Sequence, residues 1–356
     1  MRARPQNVPR QGRGYAVLRL GGFSLRFEKR GFVVYLCLLV AIVGVGLASL
    51  LIGDYDISPS QVLASFVGGA DDRLAAYFVI EIRLPRIVAG LLCGAALGLS
   101  GAIFQTLSGN PLGSPDIIGF TKGAATGALV IIVLFAGSTL MVALGAVVGG
   151  LITAVLVYGL SWNRGAPGYR LVLVGIGVGA TLGALNALLV VKAPLATAQT
   201  AVHWLAGSLN ASLWYEVANT AALLLIPLLI VFFQCRSLGL LAYGDAVATG
   251  LGARTESSRR VLMFSGVLLM AAATALAGPI SFVALVAPHL VKRLTNSAGT
   301  ALVGAALMGA FLVILSDLIA RRVFAPDELA VGVVTGSLGG IYLVALLALE
   351  WRRRRR

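Results

Sequence analysis

Charge is what this sequence has least of. Its 356 residues include 28 lysines and arginines and 14 aspartates and glutamates, so 12% of the chain is charged, against about 25% for an ordinary soluble protein. Histidine occurs twice and cysteine three times. His203 and His289 lie far apart in sequence, and Cys37, Cys93 and Cys235 share no metal-ligand spacing. No metal site is therefore expected. The cysteines read as packing residues, with Cys235 a thiol at the membrane edge. The chain also lacks a GxxxxGK[ST] phosphate loop, an HExxH pair and a serine elbow, so neither ATP hydrolysis nor hydrolytic catalysis is expected of it, and no cofactor is assigned to it. The net charge of +14 forms no single basic face of the kind that binds nucleic acid.

What fills the space left by charge is apolar: 58% of residues are hydrophobic and the mean hydropathy is +0.94. Runs of bilayer-spanning length recur along the chain. They predict about ten spans, at 31–52, 86–107, 117–136, 140–160, 171–191, 216–233, 261–278, 280–291, 300–319 and 329–349. Backbone in lipid must satisfy its own hydrogen bonds, so the spans are expected to be helices and the fold all-α. Val261–Val291 holds no charged residue over 31 positions, too long for one untilted span. Gly278-Pro279 divides it, and the short second piece, which contains Pro288, is expected to be broken or re-entrant.

Eight lysines and arginines fall in the first 30 residues, and the chain ends in WRRRRR. The positive-inside rule puts both ends in the cytoplasm, and an even number of spans agrees. The expected organisation is a basic cytoplasmic tail (1–30), a membrane domain (31–350) with a long inner loop at 237–260, and a second basic tail (351–356). Arg73, Arg83, Arg86, Lys192, Arg321 and Arg322 fall on the outer side and break the rule. Asp317, near the outer end of a span, is read as a partner for Arg321 four residues on rather than as an ion site. Small residues at four-residue spacing (Gly90/Gly94/Gly98, Gly145/Gly149, Gly175/Gly179/Gly183) are expected to pack helices closely within the chain. A short echo, LSGAIF after Arg86 and LAGPISF after Arg260, hints at inverted halves.

Six motifs then carry a resemblance: RLPR (Arg83–Arg86), GAALGLSGAIFQ, NPLGSPDIIGF (Asn110–Phe120), GDAVATGLG (Gly244–Gly252), AGPISFVALVAPH (Ala277–His289) and SDLIAR (Ser316–Arg321). In this order, across residues 82 to 340, they resemble the FecCD family, the permease subunits of type II ABC importers for iron siderophores, haem and cobalamin. The wording is most similar to the G-type subunits of ferric-enterobactin permeases. The resemblance implies the BtuC-like type II importer fold of ten helices. It also implies a second permease chain, two ATP-binding subunits that carry ATP and Mg, and an extracytoplasmic binding protein that delivers cargo.

Residue by residue, the resemblance assigns Arg83, Arg86 and Arg321 to docking of the binding protein. It assigns Asn110 and Leu112 to a cytoplasmic gate. Gly244, Asp245, Ala248, Leu251 and Gly252 become contacts to the ATPase, and Trp204, Gly207 and Ser208 part of the outer entrance. Two departures stand out: PGYR (Pro167–Arg170) replaces the hydroxyl-rich stretch opposite the gate, and Ala330 stands where the family has proline. The function implied is the permease half of a ferric-siderophore importer, expected as a heterodimer. Two rivals stay open, a homodimeric cobalamin or haem importer and a gradient-driven secondary transporter.

Overall fold

The computed structural model describes residues 15–354, apart from 21–22, 54, 68–71, 163–167, 211, 298, 324 and 326. It opens on an antiparallel hairpin, β1 (Tyr15–Leu20) and β2 (Phe23–Glu28), in register from Tyr15 opposite Glu28 to Leu20 opposite Phe23. The expected N-terminal tail is thus partly structured.

Everything after the hairpin is helical. α1 (Lys29–Leu51) is followed by the short α2 (Pro59–Val67) and α3 (Arg73–Tyr77), then by a π-helical turn (Phe78–Arg83) that runs directly into α4 (Leu84–Ser108). Next come α5 (Phe120–Leu134), α6 (Thr139–Ser161), α7 (Gly168–Lys192), α8 (Leu195–Ala206) and α9 (Trp214–Leu241). The chain finishes with α10 (Asp245–Gly250), α11 (Thr255–Ala277), α12 (Val283–Thr295), α13 (Leu302–Arg322) and α14 (Val331–Arg354). The ten expected spans correspond to α1, α4, α5, α6, α7, α9, α11, α12, α13 and α14. The others are connectors, among which α8 was not foreseen as a helix.

α4 and α11 form the centre. α4 packs on α13, α11 and α12, and α11 also touches α9 and α6. The largest fully buried side chains include Phe104, Leu97 and Ile103 of α4 and Leu262, Met263, Leu269 and Met270 of α11. α4 can approach α13 because Gly94 faces Gly309, where a β-carbon on either would run into the other helix's backbone. The other small-residue stripes are spent the same way: Gly145 and Gly149 meet Gly127 and Gly123 of α5, while Gly175 and Gly179 meet Ile118 and Gly119. Close approach of backbones is the main route to helix association in lipid, where no hydrophobic drive exists.

The divided span is broken as expected. Gly278 (φ +68°) ends α11, an irregular stretch follows, and Phe282 (φ +67°) starts α12. Pro288 has no N–H to offer the Ala284 carbonyl one turn back. Gly101 of α4 lies against that same carbonyl, and Gln105 Nε2 donates to the next, Leu285 O, at 2.9 Å. The buried α4 therefore covers the irregular backbone, the condition on which such backbone survives at membrane depth.

Candidate functional site

The two ends of α4 carry most of the residues singled out by the sequence. Arg30 Nε donates to Leu294 O at the C-terminal end of α12, which puts the basic N-terminus, the end of α12 and, by helix alternation, the exit of α4 on one side. That side is cytoplasmic by charge.

At the outer end, Arg83 and Arg86 do not stand free. Both are buried, at 5% and 8% exposure. Arg83 donates from Nη1 to Leu50 O (2.6 Å) and Leu51 O (3.2 Å), and from Nη2 to Tyr55 O (2.6 Å). It thereby serves carbonyls that the end of α1 leaves without helical donors. Arg86 binds Asp317 through Nε (3.0 Å) and Nη2 (2.9 Å), and Glu328 through Nη1 (3.0 Å). Asp317 also meets Arg321, Nε to Oδ2 at 3.3 Å. The Arg321 partnership was legible at four-residue spacing. The larger one with Arg86 was not, because it joins residues 231 positions apart.

Arg83, Arg86, Arg321 and Glu328 line one cavity of about 520 Å³, together with Gly53, Tyr55, Phe78 and the exposed Arg322. Arg321 Nη2 is buried there without a hydrogen-bond acceptor among the described residues. The expected docking trio is thus brought together, but Arg83 and Arg86 form its wall. Arg321 and Arg322 hold the donors that remain. Arg322 Nη2 spends one on Gly53 O at 2.9 Å.

A second outer cavity, of about 720 Å³, is lined by His203, Trp204, Ser208, Tyr215, Glu216 and the end of α11, among others. Of the expected entrance residues, Trp204 and Ser208 line it. Gly207 (φ +70°) instead packs on the Pro279 carbonyl, and its own carbonyl accepts from Gly332 N at 3.0 Å. Ser208 N donates to Ala277 O at 2.8 Å. The segment after α8 therefore locks onto the break between α11 and α12, and the start of α14 locks onto it in turn.

At the inner end, Gly109 (φ +61°) stops α4 and the NPLG turn follows. Asn110 Oδ1 accepts from Leu112 N at 2.9 Å, and Asn110 O from Gly113 N at 2.9 Å. Both expected gate side chains are exposed, Leu112 at 50%. Nearby, Gly244 (φ +94°) opens the short α10 and Gly252 (φ +83°) follows it. Ala248 is fully buried, so it is a packing residue and not the contact expected of it. Tyr243, Val247 and Leu251 make the exposed apolar face, at 72%, 50% and 64%.

One residue missed from the sequence ties these parts together. Arg259, on α11, donates from Nη2 to Asp245 Oδ1 (2.6 Å) and from Nη1 to Leu107 O (2.7 Å). It links the start of α10 to the end of α4, three residues before the NPLG turn. Its only sequence signal was a second arginine beside Arg260. Among the described residues no group of three histidine, cysteine or acidic side chains is placed to hold a metal ion.

A membrane domain with a cationic outer cavity and, at its inner end, an exposed NPLG turn beside a short helix with an exposed apolar face has the layout of a translocating subunit. Residues 38–349 match the FecCD transport family, and the chain belongs to it. It is 47% identical over 327 residues to the ferric enterobactin transport system permease protein FepG of Escherichia coli K12, covering 92% of this chain and 99% of that one. It is 37% identical to the iron(3+)-hydroxamate import system permease protein FhuG of Bacillus subtilis 168, covering 86% and 94%. A solved inward-facing metal-chelate type ABC transporter superposes with a TM-score of 0.78 at 28% identity, covering 88% of this chain and 98% of that one. The protein is a multi-pass membrane permease of the ABC-importer class.

Proposed function

We propose that the chain forms one half of the translocation path of an ATP-driven importer for a ferric siderophore, beside a homologous second permease chain. Two ATP-binding subunits dock beneath it and an extracytoplasmic binding protein delivers cargo above it. The observation that carries this reading is the arrangement of α4. Its outer end walls a cavity with spare arginine donors, and its inner end is held through Arg259 to α10.

Each end then has a partner of matching chemistry. Carboxylates of a binding protein suit the Arg321 and Arg322 donors, as charge complementarity steers and orients docking. An apolar cleft on an ATPase suits Tyr243, Val247 and Leu251, with Gly244 and Gly252 letting the chain turn tightly on either side of α10. Movement of α10 on ATP binding would pull on Asp245, thence on Arg259 and the end of α4, shifting Asn110 and Leu112. The relatives named for ferric enterobactin and ferric hydroxamates support iron chelates as the cargo class.

The test is uptake of ferric enterobactin into proteoliposomes that hold this chain, its partner permease, the ATPase and the binding protein. Uptake that requires ATP is expected. Uptake by this chain alone on an ion gradient would make it a secondary transporter. A single permease band after co-purification would make the importer homodimeric.

A further inference from the structure

Lys122 has no place in the functions assigned above. It is the third residue of α5, it is exposed, and it has neither an ion pair nor an acceptor among the described residues. Its ammonium lies beside Gly183 of α7, 3.6 Å from where a β-carbon would stand. At a rise of 1.5 Å per residue, Gly183 sits about 22 Å from the inner end of α7 and about 13 Å from the outer. The lysine is therefore deep in the membrane, where its stem is too short to carry the charge to either surface.

Its backbone is held there. Asn186 Nδ2 donates to Lys122 O at 3.2 Å, and the Thr126 hydroxyl lies within donating reach of that carbonyl (2.9 Å) or of Asn186 Oδ1 (2.7 Å). An unpaired charge facing hydrocarbon is disfavoured, so ionisable side chains in spans face protein, water or a transported ligand.

The neighbouring surface is unlike a lipid face. Between Ile176 and Leu185 the exposed residues of α7 are all small: Gly177, Ala180, Thr181 and Ala184. The exposed side of α1, by contrast, carries Phe32, Leu36, Leu39, Val40, Val43 and Leu47. Small side chains beside a cation leave room for something bulky and negative.

We propose that Lys122 is a cargo contact: it meets the negative charge of a ferric chelate passing between the two permease chains. A ferric tris-catecholate is a bulky anion and fits both the charge and the space. This rests on the importer reading above. The lysine's one cation attracts without enclosing, and a transported ligand must leave as well as arrive.

Two measurements on the assembled importer in proteoliposomes test it. In the first, ferric enterobactin uptake is compared for wild type, Lys122→Arg and Lys122→Gln. Arginine is expected to preserve uptake and glutamine to lower it about tenfold, the scale on which removing a single charged hydrogen bond acts. Equal uptake by wild type and Lys122→Gln overturns the proposal, as does separation of the two permease chains in the variant, which would make the lysine an interface ion pair.

The second measurement does not need cargo. Lys122→Cys is placed in a background lacking Cys37, Cys93 and Cys235 and is exposed to a negatively charged thiol reagent. Reaction is expected, because the position lines an aqueous path. An unreactive thiol, on a lipid-facing or sealed position, overturns the proposal even if the wild type were to fail as an importer.

Discussion

The outer and inner ends of α4 both hold buried arginines, but they use them oppositely. Outside, Arg86, Asp317, Glu328 and Arg321 close on one another, and Arg83 closes on the end of α1. Arg83, Arg86 and Asp317 each bond more than one group, and the contacts join α1, α4, α13 and the segment before α14, so the end behaves as one block. Inside, one side chain makes the link. Arg259 has a grip on a half-exposed aspartate and on one carbonyl, and the turn beyond it is exposed. A block suits a surface that must present the same shape to every arriving carrier. A single link suits an end that must be moved. The contrast predicts that outer substitutions damage folding first, whereas inner ones damage transport first.

The largest effect should come from Asp317→Ala. It leaves Arg86 with Glu328 alone and takes from the partly buried Arg321 its described partner, a loss of about 3–5 kcal/mol for one partner of a buried pair. The expected result is little folded protein in detergent and a clearly lowered melting temperature. A variant that purified and melted like wild type would break the comparison at its outer half. Arg259→Ala comes next and reads differently. Folded yield should stay near wild type, the assembled complex should still hydrolyse ATP, and uptake should fall about tenfold as charged hydrogen bonds at both ends of the link disappear. Equal losses of hydrolysis and uptake would place Arg259 in assembly and not in transmission. Asn110→Ala should act in the same direction but more weakly. It removes the 2.9 Å bond to Leu112 N, worth about 1 kcal/mol, and loosens the turn, so uncoupled ATP hydrolysis should rise.

The sequence revealed the architecture better than the chemistry, for a physical reason. Spans announce themselves because lipid demands about 20 apolar residues in a row, and the break at Gly278-Pro279 announces itself because glycine and proline have few other uses there. Both signals are local. The outer block is not: Arg86 finds Asp317 and Glu328 across 231 and 242 residues, and the resemblance that assigned the arginines to docking carries no sign of these partners. Ala248 was misjudged because a family pattern gives residue type but not facing. Lys122 escaped because one charge in an apolar stretch hardly lowers its average hydropathy. The hairpin was hidden by the basic residues that fill residues 1–30, which made a strand pair read as a tail.

The smallest expected effect separates wall from donor within the outer cavity. Arg322 is exposed and its one described bond, to Gly53 O at 2.9 Å, leaves most of its fork to solvent. Arg322→Glu should therefore leave the melting temperature nearly unchanged, since an exposed pair is worth about 0–1 kcal/mol. Its effect should appear in docking. Binding-protein affinity should drop at low salt and the difference from wild type should shrink as ionic strength rises, because exposed charges are screened over about 10 Å at 0.1 M. Arg86→Gln is the control from the wall, and it should lose stability before it loses salt-dependent affinity. If Arg322→Glu bound like wild type at low salt while Arg86→Gln, still folded, lost salt-sensitive docking, the wall would be the true recognition surface and the outer block would have to open when the carrier arrives.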